Sequence, residues 1–293
     1  MLTQISPLRP NRLVLVGAAV LFLLGLSAGA WAASPTSSKL ISKMRNIELC
    51  NGSDRSSPEP QIRGCTALIN AENETTLLRA VAYNNRADAY VTQGNYDAAI
   101  DDYGQAITLN STFARPFNNR GFAYLKKGDY DRALKDFDQA IKLNPDYVRA
   151  FANRAETYQQ RHDYQSAVRD YDTAIRIQPE FVAGWNGRCW TRAIMGELQS
   201  ALVDCNKALG IRPNDAATLD SRGLVYLKLG QLDSAISDYN EALRAEPTMA
   251  TALYGRGLAR IKKGDSAGGN VDLAAAAKVE KKIAENFAQY GVK

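Results

Sequence analysis

The sequence of 293 residues has few of the side chains on which metal sites and most catalytic sites depend. It contains one histidine, His162, and four cysteines, none of them in a CxxC motif. Because zinc sites combine several cysteine and histidine ligands at short spacings, this scarcity disfavours a zinc site. The glycine-rich stretch GDSAGGN at 264–270 lacks the Lys-Ser/Thr ending of a phosphate-binding loop and has no strand before it. No serine or cysteine can be paired with a plausible base, so the sequence predicts neither an enzyme nor a cofactor site.

A large excess of charge of one sign is also missing. The chain has 36 basic and 31 acidic residues, and 23% of its residues are charged against 45% hydrophobic, an ordinary balance for a folded protein. Binding to nucleic acid or to an anionic membrane usually needs a concentrated basic patch. The composition therefore disfavours both as main partners.

Long apolar runs are absent except for one near the start of the chain. Two arginines precede the uninterrupted apolar stretch 13–26, and small residues lead up to position 32. This layout predicts a secretory signal peptide over residues 1–32. An uncleaved membrane anchor is the alternative, but a core of 14 residues is shorter than the ~20 that span a bilayer. The mature protein is expected to be periplasmic or secreted, without a stable membrane anchor.

The four cysteines are Cys50, Cys65, Cys189 and Cys205, and all of them follow the predicted cleavage point. An even number of cysteines in an exported protein favours disulfides. Two pairs of buried free thiols are the alternative.

The dominant feature of the sequence is a repeat with a period of 34 residues. The stretch FNNRGFAYLKKGDYDRALKDFDQAIKLNP at 117–145 returns before it as YNNRADAYVTQGNYDAAIDDYGQAITLN and after it as FANRAETYQQRHDYQSAVRDYDTAIRIQP. Two further copies and a weaker sixth copy follow. A fixed period of this length is typical of stacked-repeat proteins, in which each copy is a packing unit. Because an active site needs no such repetition, the polar residues of the repeat are predicted to be structural.

Small and large residues recur at fixed places in each copy. With position 1 set at residues 80, 114, 148, 182, 216 and 250, position 8 is always Ala, Gly or Cys, position 20 is Ala or Gly, and position 27 is Ala. Large side chains such as Phe117, Tyr124 and Phe137 occupy positions 4, 11 and 24. In this pattern the copies resemble tetratricopeptide repeats, in which the small residues let two antiparallel helices approach closely.

The resemblance implies an all-α protein, a right-handed α-solenoid of stacked helix-turn-helix hairpins. The six copies would span residues 80–113, 114–147, 148–181, 182–215, 216–249 and, in divergent form, 250–283. Residues 33–79 are predicted to form an N-terminal helical hairpin, a degenerate repeat preceded by the flexible lead SPTSS. An apolar stripe from Leu273 to Tyr290 predicts a C-terminal capping helix that ends in residues 284–293. Within this fold, one bridge between Cys50 and Cys65 would clip the N-terminal hairpin, and another between Cys189 and Cys205 would join the two helices of the fourth copy.

Two charged positions are invariant among the six copies. Position 7 is always Arg and position 23 is always Asp, and the two lie on opposite helices of each hairpin. We interpret them as a ladder of charge-assisted hydrogen bonds along the array. A row of guanidinium groups for binding anions is the alternative, and the sequence leaves open which copy's Asp each Arg contacts.

In tetratricopeptide repeats the first helices line a concave groove, and positions 2, 5, 6, 9, 12 and 13 face a peptide ligand. The resemblance thus implies peptide-binding residues at Asn84, Arg115, Asn118, Asn119, Lys126, Arg149, Asn153, Trp190, Leu224 and Leu258. The amides would grip a peptide backbone and the arginines would hold acidic groups. For any one of these residues, packing against the next helix is an equally good interpretation. The predicted function is a non-catalytic scaffold or adaptor of the cell envelope that binds a protein or peptide. A self-assembling homo-oligomeric module is the alternative.

Overall fold

The structure is a computed structural model, and it describes residues 35–53 and 57–292. The predicted signal peptide lies outside the described residues. Across the described ranges the chain forms fifteen α-helices and no strand, which confirms the predicted all-α fold. None of these helices is both long enough and apolar enough to cross a bilayer. The helices fall into two compact units, one ending at Thr112 and the other beginning at Phe113.

The N-terminal unit contains the predicted helical hairpin and the first copy of the repeat. Its helices are α1 (Pro35–Cys50), α2 (Glu59–Ile69), α3 (Thr76–Thr92) and α4 (Tyr96–Leu109). The helices α1 and α2 approach closely at Gly64, where an added Cβ would lie 2.6 Å from the Cβ of Leu49. Residues 35–38 belong to α1 and not to a flexible lead as predicted, because proline is well tolerated at the first position of a helix.

The C-terminal unit contains the other five copies, each as a pair of helices. Its helices are α5 (Ala114–Lys126), α6 (Tyr130–Leu143), α7 (Val148–Gln160), α8 (Tyr164–Ile177), α9 (Val182–Met195), α10 (Leu198–Ile211), α11 (Ala216–Lys228), α12 (Leu232–Ala245), α13 (Ala250–Lys262), α14 (Ser266–Val279) and α15 (Ile283–Gln289). Asp129, Asp163 and Asp265 cap the second helix of their copies, each accepting a hydrogen bond from a backbone N–H three residues on.

The turn between the two helices of a copy needs a residue with positive φ. Glycine supplies it in most copies, as at Gly128 with φ 78°. In the third copy the residue at this place is His162, with φ 60°, and its Nδ1 lies 2.9 Å from the hydroxyl of Tyr164. The single histidine of the chain is therefore a turn residue.

Small residues let the paired helices touch. An added Cβ at Gly121 would lie 2.8 Å from the ring of Phe137, and one at Gly223 would lie 2.7 Å from the ring of Tyr239. Both rings are fully buried. The close contact that the repeat pattern predicted is thus made by a large side chain of one helix filling the place of a missing side chain on the other.

Two disulfides join helices within hairpins. The sulfur atoms of Cys50 and Cys65 are 2.10 Å apart and link α1 to α2, and those of Cys189 and Cys205 are 1.99 Å apart and link α9 to α10. All four cysteines are buried. This is the pairing predicted from the sequence, and it points to an oxidising compartment.

The C-terminal stripe does not form one continuous helix. The helix α14 ends at Val279, and Glu280 is extended, with φ −137° and ψ 104°. The break falls where the second helix of every other copy also ends, although the proline that follows that place in four copies is missing here. The break lets α15 turn back so that Ile283 and Phe287, each 1% exposed, pack into the core of the unit. Burial of these two side chains accounts for the interruption.

Candidate functional site

The invariant Arg and Asp residues pair within each copy, which resolves the choice that the sequence left open. In the third copy, Nε and Nη2 of Arg154 donate to the two carboxylate oxygens of Asp170 at 2.7 Å each. The remaining Nη1 donates to Asp138 of the preceding copy at 2.6 Å. The same two-point contact occurs in the pairs Arg86–Asp102, Arg120–Asp136, Arg188–Asp204, Arg222–Asp238 and Arg256–Asp272.

These pairs are structural. The side chains of the paired aspartates are at most 9% exposed and those of the arginines at most 23%. Hydrogen bonds to Asp136 raise the pKa of the Arg120 guanidinium, as expected for a two-point charge-assisted contact. Since their donors already point at protein oxygens, these arginines do not form a row of open anion sites.

A second set of polar residues lies on the first helices α5 and α7, at the positions that the family resemblance assigns to the groove. We call the side chains at positions 2, 5, 6, 9, 12 and 13 of α5, α7, α9, α11 and α13 the groove face. Asn153 donates from Nδ2 to Oδ1 of Asn118 at 3.0 Å, and Asn118 donates to Oδ1 of Asn119 at 3.0 Å. Asn118 and Asn153 are buried and Asn119 is half-buried. The hydrogen bond between Asn118 and Asn153 holds α5 against α7.

Arg149 stands beside this row with its charge uncompensated. It is half-buried on α7 and makes no ion pair or hydrogen bond with any described residue. Burial lowers the pKa of Arg149, and the positive charge of Arg115 on α5 lowers it further. A half-buried cation beside a second positive charge gains from an anion placed next to it. The sequence-predicted residues Arg115, Arg149 and Asn119 lie on the neighbouring first helices α5 and α7.

Lys126, which was also predicted to bind the ligand, already has a partner within the protein. Its Nζ lies 3.2 Å from a carboxylate oxygen of Glu156 and 4.7 Å from the centroid of the Phe122 ring. Both charged side chains are largely buried. This pair links α5 to α7 and leaves little of the lysine charge for a ligand.

The apolar part of the groove face is covered by the C-terminal segment of the same chain. The ring of Tyr290 contacts Trp190 edge-on at a centroid distance of 5.2 Å, and the ring of Phe287 lies 4.7 Å from that of Tyr254. The predicted ligand residue Leu258 packs in the same cluster. The sequence predicted a helix at this end, but it did not show that Phe287 of this helix and Tyr290 after it contact the first helices α13 and α9.

Four groove positions of α11 are buried, among them those of Leu224 and Asp220. Leu224 is 1% exposed and belongs to the core, so it presents no surface to a ligand in this structure. Asp220 is also 1% exposed, and its carboxylate accepts a hydrogen bond of 2.8 Å from the hydroxyl of Thr251 on α13. Burial raises the pKa of Asp220 from its usual value of 3.8 to about 7, although the hydrogen bond from Thr251 opposes the shift. Leu224 was assigned to the ligand surface by position alone, and position does not reveal how far the next helix covers a side chain.

In the N-terminal unit, Asn84 is likewise buried, with no exposed surface. Its amide donates to Asn85 at 3.2 Å and to Asp88 at 3.4 Å, and Asp88 accepts a hydrogen bond of 2.6 Å from the hydroxyl of Tyr103. Asn84 thus belongs to a buried network that fixes α3 against α4. Among the described residues of both units, no cluster of His, Cys, Asp and Glu could hold a metal ion.

Comparison with known families accounts for this architecture. A model described as "TPR repeat" matches residues 87–128 and 223–264, and two models described as "Tetratricopeptide repeat" match residues 114–147 and 137–169. The chain contains tetratricopeptide repeats over these residues. Proteins of this family are typically non-catalytic scaffolds for protein–protein interaction. A search of curated protein sequences gave no match.

Solved tetratricopeptide-repeat structures share the fold. A tetratricopeptide-repeat protein from Parabacteroides merdae is 19% identical, covers 86% of this chain and 99% of its own, and superposes with a TM-score of 0.68. The Cut9–Hcn1 hetero-tetramer of the APC/C matches at 14% identity and a TM-score of 0.68, over 87% of this chain and 54% of its own. TTC0263 of Thermus thermophilus matches at 20% identity and a TM-score of 0.54, over 62% of this chain and 99% of its own. At these identities the likeness extends to the fold alone.

Proposed function

We propose that the protein is a non-catalytic scaffold that binds an acidic stretch of a partner protein along the groove face of α5 and α7. The observation that carries the proposal is Arg149, a half-buried guanidinium that makes no ion pair or hydrogen bond with a described residue and lies close to the positive charge of Arg115. A carboxylate of the ligand would pair with Arg149, and the nearby positive charge of Arg115 would favour its binding.

The place of action that we propose is the cell envelope. The signal-peptide pattern of residues 1–32 and the two buried disulfides both favour an exported protein. In that setting the scaffold would act as an adaptor or assembly factor, bound to its partner outside the reducing cytoplasm.

A peptide array can test the proposed ligand chemistry. The full-length mature chain is applied to arrays of acidic, neutral and basic peptides, together with the variants Arg149→Ala and Arg161→Ala. Arg161 is the matched control, because its side chain is 45% exposed and pairs with Asp131 away from the groove face. We expect acidic peptides to bind, the signal to fall on Arg149→Ala alone, and binding to weaken as salt is raised. Equal binding by both variants, or the absence of a preference for acidic peptides, would contradict the proposal.

Self-assembly is the second candidate function, and a different surface favours it. Val271 and Val279 on α14 are 70% and 54% exposed and border an apolar hollow that Leu253 and Pro247 also line. A second copy of the chain could cover this face at the end of the repeat array. Light scattering on a Val271→Lys, Val279→Lys variant would show loss of an oligomer with peptide binding retained if the candidate is right. A monomeric wild-type chain would exclude it.

A further inference from the structure

The C-terminal segment, residues 280–292, occupies the apolar part of the groove face as a ligand would. Its four large apolar side chains, those of Ile283, Phe287, Tyr290 and Val292, are between 1% and 9% exposed. Ring contacts join the segment to α9 and α13, and a hydrogen bond from Lys228 joins it to α11. The segment therefore covers several copies of the repeat at once.

Aromatic contacts fix where the segment lies. Tyr290 meets Trp190 of α9 edge-on at 5.2 Å, and Phe287 lies 4.7 Å from Tyr254 of α13. The two segment rings are 5.7 Å apart and three residues apart in sequence, so one turn of helix presents both to the groove face. Rings in such arrangements contribute binding energy beyond the area that they bury.

Lys228 of α11 forms a hydrogen bond with the backbone of the segment. Its Nζ donates to the carbonyl oxygen of Tyr290 at 2.8 Å and to that of Ala193 in α9 at 2.6 Å. The side chain is half-buried, and burial lowers the pKa of its ammonium group. Because Lys228 contacts a backbone carbonyl oxygen of the segment and not a side chain, another segment with the same backbone conformation could make the same hydrogen bond.

The segment depends on the groove face for its order. The helix α15 has seven residues, too few for a helix to be stable by itself in water. Only a short turn around Glu280 joins it to α14, where Asn286 donates to the Glu280 carboxylate at 2.7 Å. Without the segment, the side chains of Trp190, Tyr254 and Leu258 would form an uncovered apolar patch, and such patches are typical of protein-binding sites.

We propose that the groove face of α9, α11 and α13 is a docking site for a short helical segment that carries two aromatic residues three positions apart. Residues 283–292 occupy this site in the free protein, and a segment of a partner protein with the same aromatic spacing displaces them. The inference rests on the proposed role of the groove face in peptide binding, but it concerns other residues and a different ligand chemistry from the acidic site at Arg149.

Fluorescence anisotropy with a labelled peptide of residues 280–293 tests the docking site. The proteins are the full-length mature chain and its Phe287→Ala, Tyr290→Ala variant, whose own segment has lost both rings. We expect the variant to bind the peptide at least tenfold more tightly than the wild type, whose site is filled. A peptide in which both rings are replaced by Ala should not bind. Adding Trp190→Ala to this variant should weaken its binding of the peptide at least tenfold. Adding Val203→Ala is the control and should leave binding unchanged, because the Val203 side chain on α10 is 66% exposed.

Hydrogen exchange on the wild type gives a second, independent measurement. Saturating peptide should speed amide exchange in residues 283–292 and leave the first helices protected. A folded variant that fails to bind the peptide would overturn the proposal, as would a wild type in which excess peptide leaves exchange of the segment unchanged. A wild type that is dimeric, and monomeric after Phe287→Ala, Tyr290→Ala, would overturn the intramolecular placement and assign the segment to a second copy. The acidic site is measured separately with the peptide arrays, so failure of the docking site is distinguishable from failure of the acidic site.

Discussion

The Asp204→Ala substitution should lower the free energy of unfolding by about 3 kcal/mol. The Asp204 side chain is 1% exposed and accepts three hydrogen bonds, two from Arg188 at 2.9 and 2.6 Å and one from Arg192 at 2.7 Å. Breaking a buried ion pair costs roughly 3–5 kcal/mol, because the remaining charge is left without a partner. The low end of that range applies here, since Arg188 keeps its contact with Asp172 at 2.5 Å.

The matched control is Asp131→Ala. Asp131 also pairs with an arginine, Arg161, at 2.6 Å, but the two side chains are 80% and 45% exposed. Surface pairs of this kind contribute about 0–1 kcal/mol, so this variant should be nearly as stable as the wild type.

Urea unfolding followed by tryptophan fluorescence measures the difference. Trp185 and Trp190 lie on α9, in the same copy as Asp204, so they report on this copy even if the repeat array unfolds in parts. The expected result is a lower unfolding midpoint for Asp204→Ala, with a slope close to that of the wild type. If the two variants had the same midpoint, the interpretation of the Arg–Asp pairs as structural supports would be refuted.

Three further predictions concern stability. The raised pKa of Asp220, about 7, means that the folded protein binds a proton at this carboxylate more tightly than the unfolded protein does, so the free energy of unfolding should decrease as the pH rises from ~4 to ~7. In urea titrations, Asp220→Asn should raise the free energy of unfolding by up to ~4 kcal/mol at pH 8 but not at pH 4. Replacing Cys189 and Cys205 by Ala should cost about 3 kcal/mol in oxidising buffer, and a reducing agent should abolish the difference. Gly223→Ala should lower the melting temperature, because its Cβ would lie 2.7 Å from a buried tyrosine ring, whereas Gly210→Ala, with nothing nearby, should raise it slightly.

The repeated features of the fold follow from the sequence because each rests on contacts within one copy or between neighbouring copies. Six occurrences of the same spacing identify the hairpin, the small residues at the helix contact and the Arg and Asp that face each other. The sequence could not choose the partner of each Arg, because two aspartates lie at similar distances along the chain. The structure shows that the guanidinium uses two donors within its own copy, as for Arg154 and Asp170.

The candidate site was only partly predictable, because its features depend on how far neighbouring elements cover a position. Asn84, Leu224 and Asp220 occupy groove positions, yet they are buried by contacts that no local pattern records. The stripe that includes Phe287 and Tyr290 predicted an apolar helix face but not what that face covers. Seating α15 on the first helices required a break at Glu280, and the sequence marks that break with neither proline nor glycine.

A double-mutant cycle across the acidic site tests whether a ligand carboxylate binds at Arg149. It combines Arg149→Ala in the protein with Glu→Gln at one position of an acidic peptide from the array, and the four dissociation constants are measured by titration calorimetry. We expect a coupling energy of about 1.5–3 kcal/mol for one peptide carboxylate, the range for a hydrogen bond to a charged group. A coupling energy near zero for every acidic position of the peptide would contradict the placement of the ligand at Arg149.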